Sequence, residues 1–161
     1  MSLSHYASPT ASLTCTLFFD RAAYSIREVA VMFDYDQRTV WTWFASDGLP
    51  VRMLSMQLRR VCRHDLVPWL SQRPSLKPAL DVLTAPAPIG SILSRLAWRR
   101  TEAAHALGIS ARHVFNLERE FDFPVVRDEA RHPRIFQTDV ITWLNSRPLL
   151  APKAVQTTMV S

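Results

Sequence analysis

The side chains best suited to catalysis are present in this chain but not grouped. His5, His64, His105, His113 and His132 are scattered, and Cys15 and Cys62 lie far apart, with no metal-ligand spacing. Three glycines in all leave no room for a phosphate-cradling loop, and no two carboxylates stand where one could activate the other. These patterns point to no catalytic residues, no metal and no cofactor, and so to a protein that is not an enzyme. What remains is arginine. Of 19 basic residues two are lysine (Lys77 and Lys153), so 17 are arginine, with a formal net charge of +5. A guanidinium presents a planar fork of donors that matches carboxylate or phosphate oxygens, and it stays charged at every relevant pH. The chemistry on offer is anion binding, with phosphate the best fit for a basic surface.

The elements that must position those arginines occur twice. Residues 18–74 align with 92–148 at a constant offset of 74, and 14 of 57 positions are identical. Four identical pairs are arginines: Arg21/Arg95, Arg38/Arg112, Arg60/Arg134 and Arg73/Arg147. An internal repeat says which positions were needed twice. Each copy can build only a small core, so Trp41, Trp43 and Trp69, with Phe115, Leu117 and Trp143 as counterparts, are expected to carry much of it. Trp41/Phe115 are placed between the first and second helices. Cys62, opposite Phe136, reads as a small buried hydrophobe. The expected organisation is an arm over 1–17, copy one over 18–74, a Pro-rich linker over 75–91, copy two over 92–148 and a tail over 149–161. Ala85-Pro86-Ala87-Pro88 stiffens the second half of the linker, and Leu80–Leu83 suits a helical turn. No apolar run approaches the roughly 18–20 residues of a membrane span, and the opening segment lacks the features of a signal peptide.

Within copy one, Ser25-Ile26-Arg27-Glu28 is a capping box. Asp36 caps a second helix over Gln37–Ala45, and Gly48-Leu49-Pro50 ends it. Val51–Val61 is predicted to be a hairpin, followed by a third helix capped by Asp65. Copy two repeats the plan, with helices over Thr101–Leu107 and Ala111–Glu120, a hairpin over Val125–Phe136 and a last helix starting at Asp139. Arg99 replaces Ser25, so this copy lacks the first capping box.

That order resembles the winged helix-turn-helix of the MerR/excisionase superfamily. The fragments that carry the likeness in copy one are Ser25 through Ala30, Arg38-Thr39-Val40-Trp41, Gly48-Leu49-Pro50, Arg60-Val61 and Asp65-Leu66-(x2)-Trp69-Leu70. Copy two supplies Thr101 through Ala104, Leu107 through Ser110, Phe123-Pro124, Arg134-Ile135-Phe136 and Asp139-Val140-(x2)-Trp143-Leu144. The hairpins are long for the family and lack its usual glycine at the tip. The fold class implied is mainly α with small β-hairpin wings, as two tandem winged helix-turn-helix domains. The second helix of each copy would enter a DNA major groove, and the wing would lie on the backbone. The resemblance puts Gln37, Arg38 and Thr42 on the groove face in copy one, and Arg112 and Asn116 in copy two. Arg52, Arg59 and Arg60 in the first wing, and Arg127, Arg131 and Arg134 in the second, are candidate phosphate contacts. Acids at Glu118, Glu120, Asp122, Asp128 and Glu129 lead to the expectation that copy two binds DNA less well than copy one.

The function implied is sequence-specific binding of double-stranded DNA, as an excisionase-like recombination directionality factor or a transcription regulator. The alternatives are a phage DNA-packaging protein like a small terminase, or a protein-interaction module built on a repurposed winged helix. The partners implied besides DNA are a recombinase, a polymerase or another phage protein, with no membrane. The expected location is the cytoplasm, associated with the nucleoid.

Overall fold

A computed structural model describes residues 17–152; the expected arm lies outside them except for Leu17, and so does the tail from residue 153 onward. The protein is mainly helical, with two small three-stranded antiparallel sheets. Copy one runs β1 (Ala23–Tyr24), α1 (Ile26–Phe33), α2 (Gln37–Ser46), β2 (Arg52–Met53), β3 (Arg59–Cys62) and α3 (Arg63–Ser71). Copy two runs β4 (Ala97–Trp98), α5 (Arg100–Leu107), α6 (Ala111–Phe121), β5 (Val126–Arg127), β6 (Pro133–Phe136) and α7 (Gln137–Ser146). Between them lie a short 3-10 helix (Pro74–Leu76), α4 (Lys77–Thr84) and a second 3-10 turn (Ile92–Ser94).

Helix starts follow the capping chemistry. The Ser25 hydroxyl accepts from the Glu28 amide while the Glu28 carboxylate accepts from the Ser25 amide, both at 3.1 Å. Asp36 and Ser110 cap α2 and α6 through the amides of Thr39 and His113. In copy two half of the box survives. Glu102 still accepts from the Arg99 amide at 3.1 Å, but an arginine side chain has no acceptor to return. The third helices depart from expectation: they start at Arg63 and Gln137, so Asp65 and Asp139 stand in the first turn and are not caps. Pro68 is accordingly the sixth residue of α3, where its missing N–H leaves the His64 carbonyl without its helical donor.

The two sheets share one register. Ala23 pairs with Cys62 and Tyr24 with Val61, and their counterparts Ala97/Phe136 and Trp98/Ile135 pair identically. The hairpins match as well, Arg52 opposite Arg60 and Val126 opposite Arg134. Each inner sheet face closes a core, with Tyr24, Val29, Val40, Val61 and Leu66 in one, and Trp98, Leu107, Val114, Ile135 and Val140 in the other. Trp69 and Trp143 are buried as expected. Phe115 is not; it is 52% exposed, with the Arg100 guanidinium stacked 4.1 Å above its ring. Trp41 is half-buried. Burial pushes the Cys62 thiol up to about 12.

The linker and tail are more structured than their composition implies. Leu76, Ala79, Leu80 and Leu83 pack on copy one, so the first half of the linker is a helix belonging to that copy rather than a tether. Beyond Pro148, Leu149 pairs with Arg52 as an isolated bridge, and the Leu150 amide donates to the Val51 carbonyl at 2.7 Å. The beginning of the tail thus adds an edge to the first hairpin.

Candidate functional site

The arginines of the first hairpin do not face solvent as a set. Arg52 is 8% exposed. Its Nε lies 2.6 Å from Asp65 Oδ2 and its Nη1 donates to the carbonyls of Asn145 and Arg147 at 3.0 and 2.8 Å. Hydrogen bonding to Asp65 holds its guanidinium pKa above the ordinary arginine value. Arg60 donates to the Leu107 and Gly108 carbonyls at 3.0 and 2.8 Å, and burial lowers its pKa. Arg21 donates to the His105 carbonyl, and the Ala22 amide to that of Ala106. Three cations of copy one therefore sit on the C-terminal ends of α5 and α7, where unpaired carbonyls and the helix dipole favour positive charge. Ala22, Ala23, Leu54 and Cys62 complete the contact by joining the core of copy two. The expectation that Arg52 and Arg60 meet phosphate is corrected on this ground: helix carbonyls and Asp65 already hold their donors. Of Arg52, Arg59 and Arg60, Arg59 alone is exposed.

Among the described residues, the second hairpin makes no hydrogen bond to copy one. Val126 and Arg127 are both exposed, and Arg127 Nη1 donates to the Arg131 carbonyl at 3.1 Å. Arg131 turns the chain at φ 63, doing with an arginine what a tip glycine would do without strain. Arg134 is half-buried, its Nε 3.7 Å from Asp128 Oδ2. The acids expected to repel phosphate are partly spoken for. Glu118 accepts from Arg100 at 2.8 Å, and the His132 amide beside Asp128 holds that carboxyl below the usual carboxylate range. Glu120, Asp122 and Glu129 remain exposed.

On the helices, Gln37, Arg38 and Thr42 are all exposed on α2, with the Thr42 hydroxyl donating to the Arg38 carbonyl at 3.0 Å. Arg112 is exposed on α6, while Asn116 is half-buried. The reason is the first hairpin, whose tip (Ser55 to Leu58) forms a cleft with His113, Asn116 and Glu120. On its other side Asn116 lines a groove with Phe115, Arg119 and Arg127. Arg119 is the residue that sequence reasoning missed. It follows Arg112 and Asn116 at i+7 and i+3, a helical stripe legible in the sequence, and it is exposed. The structure thus brings together Asn116, Arg119 and Arg127 in copy two, with Arg112 one helical turn before Asn116 on α6.

No helix among the described residues is long and apolar enough to cross a membrane. Comparison with protein-family models, curated proteins and solved structures finds no match to this chain.

Proposed function

We propose that the chain binds double-stranded DNA as a tandem winged helix-turn-helix protein of the MerR/excisionase type, with copy two as its principal reader, the reverse of the order its acids lead one to expect from the sequence. The observation that supports this best concerns the four arginines present in both copies. Arg21/Arg95 pair with Glu28/Glu102, Arg73/Arg147 stack on Trp69/Trp143, and Arg60 and Arg134 are engaged with carbonyls and Asp128. Only Arg38/Arg112 stand exposed on the second helix of each copy with guanidinium groups that make no hydrogen bond or ion pair among the described residues. A residue kept twice without a structural task is the natural candidate for a ligand contact. In copy two it is joined by Asn116 and Arg119 on one helix stripe and by Arg127 and Arg131 on the free hairpin. An arginine can fork onto guanine or a phosphate, and an asparagine onto adenine. The role would be that of a recombination directionality factor or a transcription regulator.

Fluorescence anisotropy with labelled duplexes tests the reading. With about four phosphate contacts, log K should fall against log salt with a slope near −4. A flat salt response, or no binding at low salt, overturns it. Selection from a random duplex library then separates specific from nonspecific binding.

A further inference from the structure

The contact between the two copies is heterologous: the outer sheet face of copy one meets the helix ends of copy two. Two surfaces are therefore left over, the outer face of the second sheet and the helix ends of the first copy. Their residues are not those of idle surface. Ala22, Arg52 and Cys62 are only 5, 8 and 0% exposed at the contact. Their counterparts at the same offset are Leu96, Val126 and Phe136, all larger apolar residues than alanine, exposed to 83, 49 and 41%. Val126 lies across from Arg134, two residues before Phe136, so both apolar side chains stand on the outer face, and Leu96 extends its edge. Such a group is expected to be covered in the working protein.

The left-over helix ends match it. At the end of α1, Val31 stands where α5 has His105 and is 56% exposed; Tyr35 just beyond is 50% exposed. Asp34 stands where Gly108 receives Arg60. On the second sheet the counterpart of Arg60 is Arg134, so a carboxylate awaits the arginine that the internal contact would place there.

We propose that the chain associates with further copies of itself head to tail, the outer face of the second sheet of one molecule seating on the α1 end of the next. A heterologous contact of this kind does not close on itself by pairing, so it builds rings or filaments. Part of the internal contact has no external equivalent: Leu149 and Leu150 pair with the first hairpin, but their counterparts Ser75 and Leu76 lie in a 3-10 helix. The contact between molecules is accordingly weaker than the one within a molecule and grows with concentration. It does not depend on the DNA-binding reading and is measured without DNA.

Light scattering or sedimentation of the full chain across the micromolar range tests it. The expected result is a weight-average mass that climbs past two chains. The double variant Leu96→Glu/Val126→Glu and the single variant Val31→Glu should each stay at one chain. Mixed in equal amounts they should form a complex of two chains that grows no further, because each supplies the face the other has lost. All three residues are exposed, and far-UV dichroism checks that the variants fold. One-chain mass for the wild type at every concentration overturns the proposal, whatever the variants do. So does a wild type that stops at two chains and ignores Val31→Glu, which would mean face-to-face pairing of the second sheets. Folded variants that fail to pair on mixing overturn it as well.

Discussion

The two hairpins share their strands and their register, and they do opposite things. Around each, the same interactions recur: Trp69 and Trp143 donate to the carbonyls of Asp47 and Phe121 at 3.0 and 2.8 Å, and an arginine stacks on each indole. Three of the positions that differ carry most of the contrast. Arg52, Leu54 and Leu58 in the first hairpin are Val126, Asp128 and His132 in the second. A cation and two leucines turn one hairpin inward onto helix ends and into a second core; an acid and a histidine keep the other in water. What the copies kept builds the fold, and what they exchanged decides which surface is spent on the partner copy and which stays free.

The most severe way to break this comparison is to remove Arg52. Arg52→Ala would leave Asp65 without its guanidinium and the Asn145 and Arg147 carbonyls without a donor, in a place where both side chains are about nine-tenths covered. Removing one partner of a buried pair costs about 3–5 kcal/mol. Val126→Ala, the same position in the free hairpin, should change stability by no more than ~0.5 kcal/mol. Urea unfolding of the two variants measures the gap, and equal losses would mean that the copies are not docked through the first hairpin.

A second contrast rests on the proposed binding of DNA. Because the first hairpin is engaged, Arg112→Ala should weaken specific binding more than Arg38→Ala, by about 1–3 kcal/mol for a lost base contact. Arg127→Ala and Arg131→Ala should each reduce the salt slope by about one. A larger loss at Arg38 would make copy one the reader.

Local structure was largely legible in the sequence, and docking was not. Ser25, Asp36 and Ser110 announce helix starts because a side-chain acceptor before a helix has a single obvious use. Trp69 and Trp143 announce the cores. The strands β1 and β4 are two residues each, too short for any alternation to show. The spacing of Leu76, Ala79, Leu80 and Leu83 does encode α4, but the Ala-Pro run behind it reads as linker. The role of Arg52 and Arg60 was hidden for a deeper reason. Their closest acceptors in copy two are main-chain carbonyls at helix ends, which no residue type there advertises. The one hint was that Arg52 and Val126 occupy the same position, since a phosphate contact made by both hairpins would hardly be valine in one.

Left-handed turn positions sharpen the comparison at smaller energies. Each copy places one residue at positive φ after its first helix and one after its second, and glycine and aspartate exchange places: Asp34 (φ 55) against Gly108 (φ 66), and Gly48 (φ 73) against Asp122 (φ 55). A Cβ at Gly108 would lie 3.1 Å from Glu28 Oε1 and 3.7 Å from Arg60 Nε, both from copy one, whereas one at Gly48 would meet nothing within 4 Å. Gly48→Ala should therefore cost only the backbone strain, about 1 kcal/mol, and Gly108→Ala more, up to ~3 kcal/mol. Asp34→Gly and Asp122→Gly relieve the same strain and should gain up to about 1 kcal/mol. Thermal melts of the four variants rank them, and a Gly108→Ala no worse than Gly48→Ala would deny the close approach of the copies.

The smallest expected effect is a pH dependence confined to the contact. His64 and His105 both lie at the contact, beside Arg52 and Asn145 in one case and Asp20 and Arg21 in the other, and their repeat counterparts are Thr138 and Val31, which do not titrate. Burial, aided by the Arg52 charge at His64 and the Arg21 charge at His105, lowers both pKa values. The folded protein then binds fewer protons than the unfolded chain, whose histidines titrate near 6.5, so stability falls as pH drops through about 6.5 toward the depressed values. Asp65, 3.5 Å from His64 Nε2, and Asp20, 3.9 Å from His105 Nε2, partly offset the effect by favouring the charged rings. The carboxyls with lowered pKa, Asp36 and Asp128, act below the usual carboxylate value and so in a separate, more acid window. Tm should fall slightly between neutral pH and about pH 5, and the double variant His64→Gln/His105→Gln should flatten that slope. An unchanged slope in the double variant would place the titration elsewhere, and a stability that rises on acidification would mean the carboxylates beside these rings outweigh their burial.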